Sequence, residues 1–341
     1  MGYFQLTRCA ENPILKPDPS RAWEARMVLN PGALYEDGRF LLYYRAAGND
    51  RDHRIYVGLA ESTDGVHFTR VSDQPVCGPQ ENGFDGGCTE DPRLVTIDGV
   101  TYMTYAYRPF PPGQYWIRAS EPVKDYGCPE NAPRALTENI TSTGLAIVKN
   151  RTEVKKLGRI TLSDVDDRDV MLFPEKIGGR FWRLSRPVEW SGEGYENAQP
   201  AIWINSSANV MDWDEKNTKL LMKSREAWEE KKIGAGAPPI RTEQGWLLLY
   251  HGVDSEGIYR VGAALLDAED PARVLYRTRR FILQPETEYE KVGIYNGCVF
   301  PTGTVLRGDT LYVYYGCADQ YVCLATCSLK ELISCVMENP V

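Results

Sequence analysis

The chain has 341 residues, of which 43% are hydrophobic and 25% charged, and a formal net charge of −8. This is the composition of a folded globular protein, long enough for one large domain or two small ones. The acidic balance argues against a nucleic-acid partner, whose phosphates call for a basic face. Aromatic residues reach 11%, with 20 Tyr and 8 Trp. Such side chains favour strands and offer stacking faces on which sugar rings lie.

At the start of the chain, Met1 to Cys9 holds no basic segment followed by an apolar run, so no signal peptide is expected. No later apolar run approaches the roughly 18–20 residues that cross a bilayer, so no membrane partner is expected. The 9 cysteines are an odd, scattered set without a CxxC pair or Cys/His ligand spacing. A zinc site is therefore not expected, and reduced thiols in a bacterial-type cytoplasm are. Sequons such as Asn139-Ile140-Thr141 carry no meaning in that compartment.

Along the chain, five segments repeat one pattern: a Pro- or Gly-containing lead, a short strand, a Gly turn, and an aromatic strand ending in a polar residue. The first runs from Asn30 to Arg45 and the second from Glu90 to Tyr105. The third runs from Phe173 to Arg186, the fourth from Ala237 to His251, and the fifth from Phe300 to Gly316. Each reads as a β-hairpin, with turn glycines at Gly38, Gly99, Gly179, Gly245 and Gly308. The intervals between these glycines are 61, 80, 66 and 63 residues, room for four short strands with their loops. Further strands follow the hairpins at Ile55–Ser62 and Tyr259–Leu266. Only Glu226–Lys231 and Ser328–Val336 read as short helices. No linker divides the repeats, so residues 1–341 are expected to form a single all-β domain, a five-bladed β-propeller. A two-sheet sandwich is the alternative, which the even spacing disfavours.

In a propeller the innermost strands line a central channel, and ligands sit at its mouth. Arg45, Arg186 and His251 end the aromatic strands, and Asn30, Glu90-Asp91 and Lys176 begin the hairpins. Each Arg could be solvated at the surface, and a lone His ending a buried strand is more often a hydrogen-bonded core residue. Three such ends around one axis instead suggest an anion site, since guanidinium forks suit phosphate or carboxylate. Asp91 precedes a proline; an Asx turn explains it as well as a general acid at the channel mouth does. Asp319 closes the fifth hairpin. The acidic runs 226–230 and 286–290 read as solvated faces. Nothing resembles a P-loop, a dinucleotide fold turn or a nucleophile elbow.

The segments Asn30-Pro-Gly-Ala33, Glu90-Asp91-Pro-Arg93, Leu172-Phe-Pro-Glu-Lys176 and Ser185-Arg186-Pro187 resemble glycoside hydrolase family 130. So do Ile233-Gly-Ala-Gly-Ala-Pro-Pro239, Tyr250-His251-Gly252, Val261-Gly-Ala-Ala-Leu-Leu-Asp267 and Tyr315-Gly-Cys-Ala-Asp319. The resemblance runs from about residue 8 to the C-terminus. It implies a five-bladed propeller that cleaves β-mannosides by inverting, reversible phosphorolysis, giving α-D-mannose 1-phosphate and a shortened sugar. It makes Asp91 the proton donor, acting through the 3-hydroxyl of the bound mannose. It makes Arg168, Arg186, Lys232 and His251 the phosphate clamp. It places Asn30, Arg45, Arg51, Lys176 and Asp319 at sugar-contacting or pocket-lining positions. One position departs from some phosphorylases: Asp169 stands where others carry Asn.

A phosphorylase needs one acid and a set of cations, because phosphate arrives already anionic; an inverting hydrolase needs a second carboxylate to activate water. Members that hydrolyse lack the Arg/His pair, and here Arg186 and His251 are both present. The alternatives are a hydrolytic β-mannosidase using Glu193 or Glu196, and a non-catalytic carbohydrate-binding propeller. No metal or organic cofactor is implied; inorganic phosphate is the co-substrate. The partners expected are a small carbohydrate and phosphate, with a homo-oligomer left open. Linkage and acceptor depend on the loops Asn49–His53, Arg108–Tyr115 and Ser191–Gln199.

Overall fold

The computed structural model describes residues 3–80, 83–114 and 126–341; Tyr115, the end of the second of those loops, lies outside them. The fold is all-β. A short strand β1 (Thr7–Arg8) leads the chain, followed by the meander β2 (Met27–Glu36), β3 (Arg39–Ala47), β4 (Ile55–Ser62) and β5 (Thr69–Arg70). A second meander comprises β6 (Cys88–Ile97), β7 (Val100–Arg108), β8 (Ser142–Lys149) and β9 (Glu153–Arg159). One parallel bridge, Ile55 to Cys88, joins these two into an eight-stranded sheet. Next come β10 (Asp167–Leu172), β11 (Phe181–Pro187), β12 (Ile202–Ser207) and β13 (Lys219–Met222). In the fourth group, β14 (Lys232–Ala235) and β15 (Ile240–Thr242) both pair with β16 (Gly245–Val253), which continues to β17 (Tyr259–Leu266) and β18 (Val274–Arg277). The last group is β19 (Val299–Arg307), β20 (Thr310–Cys317) and β21 (Tyr321–Ser328), and β1 adds to β21 as its fourth strand.

The hairpin turns fall at the glycines read from sequence. Asp37-Gly38 and Asp98-Gly99 are both left-handed pairs, with φ of 48° and 76°, and 50° and 77°. That is the backbone a two-residue hairpin turn requires, and Asp-Gly adopts it cheaply. Because strand side chains alternate, each meander buries both faces. Leu42 and Tyr44 pack with Val305 and Tyr314 of the last group, whereas Leu41 and Tyr43 pack with Leu94 and Met103 of the second. Val95 and Leu145 meet Val170 and Leu172, Met171 and Leu184 meet Trp246 and Leu248, and Leu249 and Val261 meet Val299 and Val313. The apolar core is thus a closed circuit of sheet-to-sheet interfaces.

The first strand of each group is interrupted near its start. Register breaks lie between Leu29 and Gly32, Glu90 and Arg93, Arg168 and Met171, and Pro301 and Gly303. In the fourth group the break is the gap between β14 and β15, which holds Pro238 and Pro239, residues without an N–H for the ladder. Such bulges re-aim side chains. Here they turn Asn30, Asp91 and Asp169 into left-handed backbone, with φ of 45°, 52° and 58°.

Two expectations are corrected. The acidic runs are not simply solvated, because Glu229 and Glu290 are fully buried. Each belongs to a repeated device in which a buried carboxylate near the first strand grips a cation of the outermost strand and a tyrosine of the second. Glu290 binds Arg8 at 2.9 Å and Tyr315 Oη at 2.8 Å. Glu229 binds Arg277 at 2.6 Å, and Arg277 in turn donates to Tyr250 Oη at 3.1 Å. Glu24 binds Arg70 at 2.6 Å and Tyr44 Oη at 2.8 Å, and Asp85 pairs with Lys156 and accepts from Tyr105 Oη at 3.3 Å. The second correction concerns Lys176. Aligning Phe173-Pro-Glu-Lys176 with Glu90-Asp91-Pro-Arg93 is out of step, since the third bulge is at Asp169. Lys176 lies beyond the far end of β10 and pairs at 2.8 Å with Asp98, a residue of a hairpin turn. The expected helices appear as a single 3-10 turn, Ala227–Glu229, and the helix Leu329–Met337.

Candidate active site

The bulged strand starts converge on one cavity of about 410 Å³, within the range of small-ligand sites. It brings together Asn30, Arg45, Asp91, Arg168, Arg186, Lys232, His251 and Asp319. Arg51 is exposed on the loop after β3, and neither it nor Lys176 lines the cavity. Glu193 and Glu196 are also exposed, on the loop after β11, and outside the cavity.

One wall carries the candidate acid. Asp91 Oδ1 accepts from Asn30 Nδ2 at 2.8 Å and from Arg45 Nη1 at 3.2 Å. Arg45 Nη1 also pairs with Glu90 Oε2 at 2.9 Å. The bulge itself is locked by Arg93, which is buried and donates to the Asp91 carbonyl at 2.5 Å and to the Gly236 carbonyl at 2.9 Å. Asn30 is held so closely that any side chain at Gly316 would strike its Oδ1, at 1.9 Å from an added Cβ.

The same cavity carries a cationic set. Arg168 makes a two-point contact with Asp166, Nε to Oδ1 at 2.8 Å and Nη2 to Oδ2 at 2.5 Å, and Nη2 also donates to Thr141 at 2.9 Å. Burial works against its charge, but Asp166 outweighs burial and raises its pKa further. Arg186 donates through Nε to Asp169 Oδ2 at 2.6 Å. Burial alone would raise the Asp169 carboxyl; Arg186, with His251 and Arg93 beside it, instead holds it well below the usual carboxylate range. Lys232 packs over Tyr259, 4.9 Å from the ring centroid. Burial, reinforced by Arg186, pushes its ammonium down to about 7. His251 stacks on Tyr259 with centroids 5.6 Å apart and meets Phe300 edge-on at 4.7 Å. Burial pushes its imidazole down to about 3, against the pull of Asp169. Burial thus disfavours the imidazolium and suits His251 to act as a hydrogen-bonding group rather than a fourth cation.

Asp319 follows β20 in left-handed backbone, with φ of 52°, next to Ala318 at 48°. Strain of this kind collects at functional sites. Residues that sequence reasoning had not assigned a role also line the cavity: Glu90, Arg108, Tyr259, Tyr295, Cys298 and Phe300. Glu90 and the buried Arg93 stood inside the Glu-Asp-Pro-Arg motif, so the signal was available. Arg108 stood out only as the start of a loop bearing on linkage and acceptor, and the aromatic wall gave no signal, because Tyr259 and Phe300 sit on strands that read as ordinary sheet and Tyr295 lies between strands.

Among the described residues, no group of three or more His, Cys, Asp or Glu could hold a metal ion. No helix among them is long and apolar enough to cross a membrane. All nine cysteines are unpaired thiols.

Comparison with known proteins gives the family. The Glyco_hydro_130 family model, described as beta-1,4-mannooligosaccharide phosphorylase, matches residues 5–338. The chain is 34% identical to a 1,2-beta-oligomannan phosphorylase of Thermoanaerobacter sp. (strain X514), covering 96% of this chain and 99% of that protein. It is 36% identical to a beta-1,4-mannooligosaccharide phosphorylase of Ruminococcus albus, covering 89% of this chain and 82% of that one. Among solved structures, the beta-1,2-mannobiose phosphorylase from Listeria innocua in complex with beta-1,2-mannobiose superposes with a TM-score of 0.79 at 26% identity. That superposition covers 98% of this chain and 99% of the other.

Proposed function

The chain belongs to glycoside hydrolase family 130, and from that premise we infer that it is a β-mannoside phosphorylase. It transfers the mannosyl group of a manno-oligosaccharide to inorganic phosphate with inversion, releasing α-D-mannose 1-phosphate and a shortened sugar, and the reaction runs in both directions. The observation that carries this reading is the company Asp91 keeps: the candidate acid lines a single cavity together with Arg168, Arg186, Lys232 and His251. Phosphorolysis asks for that set, a proton donor on one side and an anion clamp on the other. The hydrolytic alternative needs a base for water, and the carboxylates expected for it, Glu193 and Glu196, are exposed and outside the cavity.

In this reading Asp91, aimed by the bulge and held by Asn30 and Arg45, supplies the proton that the departing glycosidic oxygen takes up, relayed by the mannose 3-hydroxyl. Asn30, Arg45 and Asp319 orient the sugar, and the Tyr259, Tyr295 and Phe300 wall excludes water from the reacting centre. No metal or organic cofactor takes part. The whole chain acts as one catalytic domain. Its circuit of sheet interfaces supports a five-bladed propeller, with the first strand of each group innermost. Nine unpaired thiols fit a reducing cytoplasm.

The reverse reaction tests the function. The protein is incubated with α-mannose 1-phosphate and a panel of acceptors (mannose, glucose, N-acetylglucosamine and manno-oligosaccharides), and phosphate release is followed. Release with particular acceptors is expected, and the product linkage names the substrate. No release with any acceptor, together with free mannose from β-mannobioses in phosphate-free buffer, would replace phosphorolysis by hydrolysis.

A further inference from the structure

The cationic wall contains an ionised carboxylate whose presence there needs explaining. Asp169 lines the cavity and is buried. Its Oδ2 is used by Arg186 Nε at 2.6 Å, with His251 Nε2 at 3.7 Å. Its Oδ1 accepts no hydrogen bond from any described residue; Arg93 Nη2 stands 3.7 Å away, beyond hydrogen-bonding reach. Gly234 lets this carboxylate approach closely, since an added Cβ would lie 2.5 Å from Asp169 Oδ2 and 2.4 Å from His251 Cε1. A carboxylate oxygen with spare acceptor capacity therefore shares the cavity with Arg168, Arg186 and Lys232. An asparagine here could turn an N–H towards a bound anion. An aspartate can only accept.

We propose that Asp169 makes the anion subsite selective for an oxyanion that still carries a proton, phosphate over sulfate. It does so by accepting the P–OH hydrogen bond and turning the unprotonated oxygens towards the cations. The inference rests on the phosphorylase reading for its purpose, though not for its test. At neutral pH inorganic phosphate keeps at least one hydroxyl and sulfate keeps none. Phosphate can thus satisfy Asp169 Oδ1 with a charge-assisted bond while its anionic oxygens meet Arg168, Arg186 and Lys232. Sulfate would set acceptor against acceptor, two negative oxygens in a site from which water is largely displaced. The same bond fixes which oxygens are free to attack, since the protonated one is occupied.

The test is calorimetric titration of the wild-type protein and Asp169→Asn with sodium phosphate and with sodium sulfate, in a buffer free of both. Sulfate inhibition of phosphorolysis is measured in parallel. Wild type is expected to bind phosphate about 10–100-fold more tightly than sulfate. In D169N the ratio falls to within a few-fold, because the amide can donate, and sulfate becomes an effective competitor. Equal binding of both anions by wild type overturns the proposal without any variant. So does a D169N protein in which both anions weaken in parallel at an unchanged ratio, the result of a purely structural role through Arg186. The expected anion ratio without phosphate-dependent turnover would overturn the phosphorylase reading and leave the selectivity standing.

Discussion

Asp91 shares left-handed backbone with Asp169 and Asp319 and differs from them in its contacts. It stands between Glu90 and Pro92, with its carbonyl tied to Arg93 and its Oδ1 to Asn30 and Arg45. Asp91→Asn keeps those contacts and removes the transferable proton. Its kcat is expected to fall by about 10²–10⁴-fold, the usual contribution of a positioned acid, with phosphate binding by calorimetry retained. Lys232 gives a pH signature. Burial pushes its pKa down to about 7, below the ordinary ammonium value, and a bound anion favours the charged form. Phosphate affinity is therefore full below about pH 7 and falls as pH rises through it. Lys232→Arg stays charged, so the ratio of phosphate KM values, variant to wild type, should decline above pH 7. Phosphate's own ionisation is common to both proteins and cancels in that ratio; a pH-independent ratio would remove Lys232 from the clamp. At this scale the sequence exposed Asp91, Arg186 and His251 because each ends or begins a hairpin. It misplaced Lys176, because Phe-Pro-Glu-Lys mimics a strand start while the bulge that sets the register lies seven residues earlier, at Asp169.

The elements repeat more than the pattern of apolar residues reveals. The hairpins were legible from Asp-Gly and Gly-Gly turns, and their glycines do carry positive φ. The bulges were half-legible, since Asn30-Pro31 and Asp91-Pro92 combine a residue tolerant of left-handed backbone with one that cannot donate to the ladder. The buried carboxylate, cation and tyrosine devices were not. Their partners are far apart in sequence, as Arg8 and Glu290 are, and a glutamate inside an acidic run looks solvated until its partner is known. Breaking one such pair strands a buried charge, which destabilises by about 3–5 kcal/mol. Glu229→Gln, which loses the ion pair to Arg277, is thus expected to lower stability by about 3 kcal/mol in denaturant titration. Glu193→Gln and Glu196→Gln, on the exposed loop, should leave both stability and turnover unchanged; loss of turnover in either would restore a water-activating base to the scheme.

For the molecule as a whole, the repeat interval and the absence of a linker pointed to one cyclic all-β unit, and the core contacts run from each sheet to the next and back to the first. What sequence could not show is how the circuit closes. β1 from the N-terminus becomes the outer strand of the last sheet, and Arg8 reaches Glu290 and Glu286. A chain beginning at Ala10 loses both the strand and the Arg8 pair, and its Tm is expected to drop by several degrees with unfolding still cooperative. An unchanged Tm would mean that the circuit is held shut without it. The central claim is that phosphate, not water, receives the mannosyl group. The most direct measurement is turnover of β-mannobioses in H₂¹⁸O containing inorganic phosphate, followed by mass spectrometry and ³¹P NMR. The account predicts mannose 1-phosphate without ¹⁸O at the anomeric oxygen and a rate that vanishes when phosphate is left out. Free mannose carrying ¹⁸O, formed at the same rate without phosphate, would contradict it.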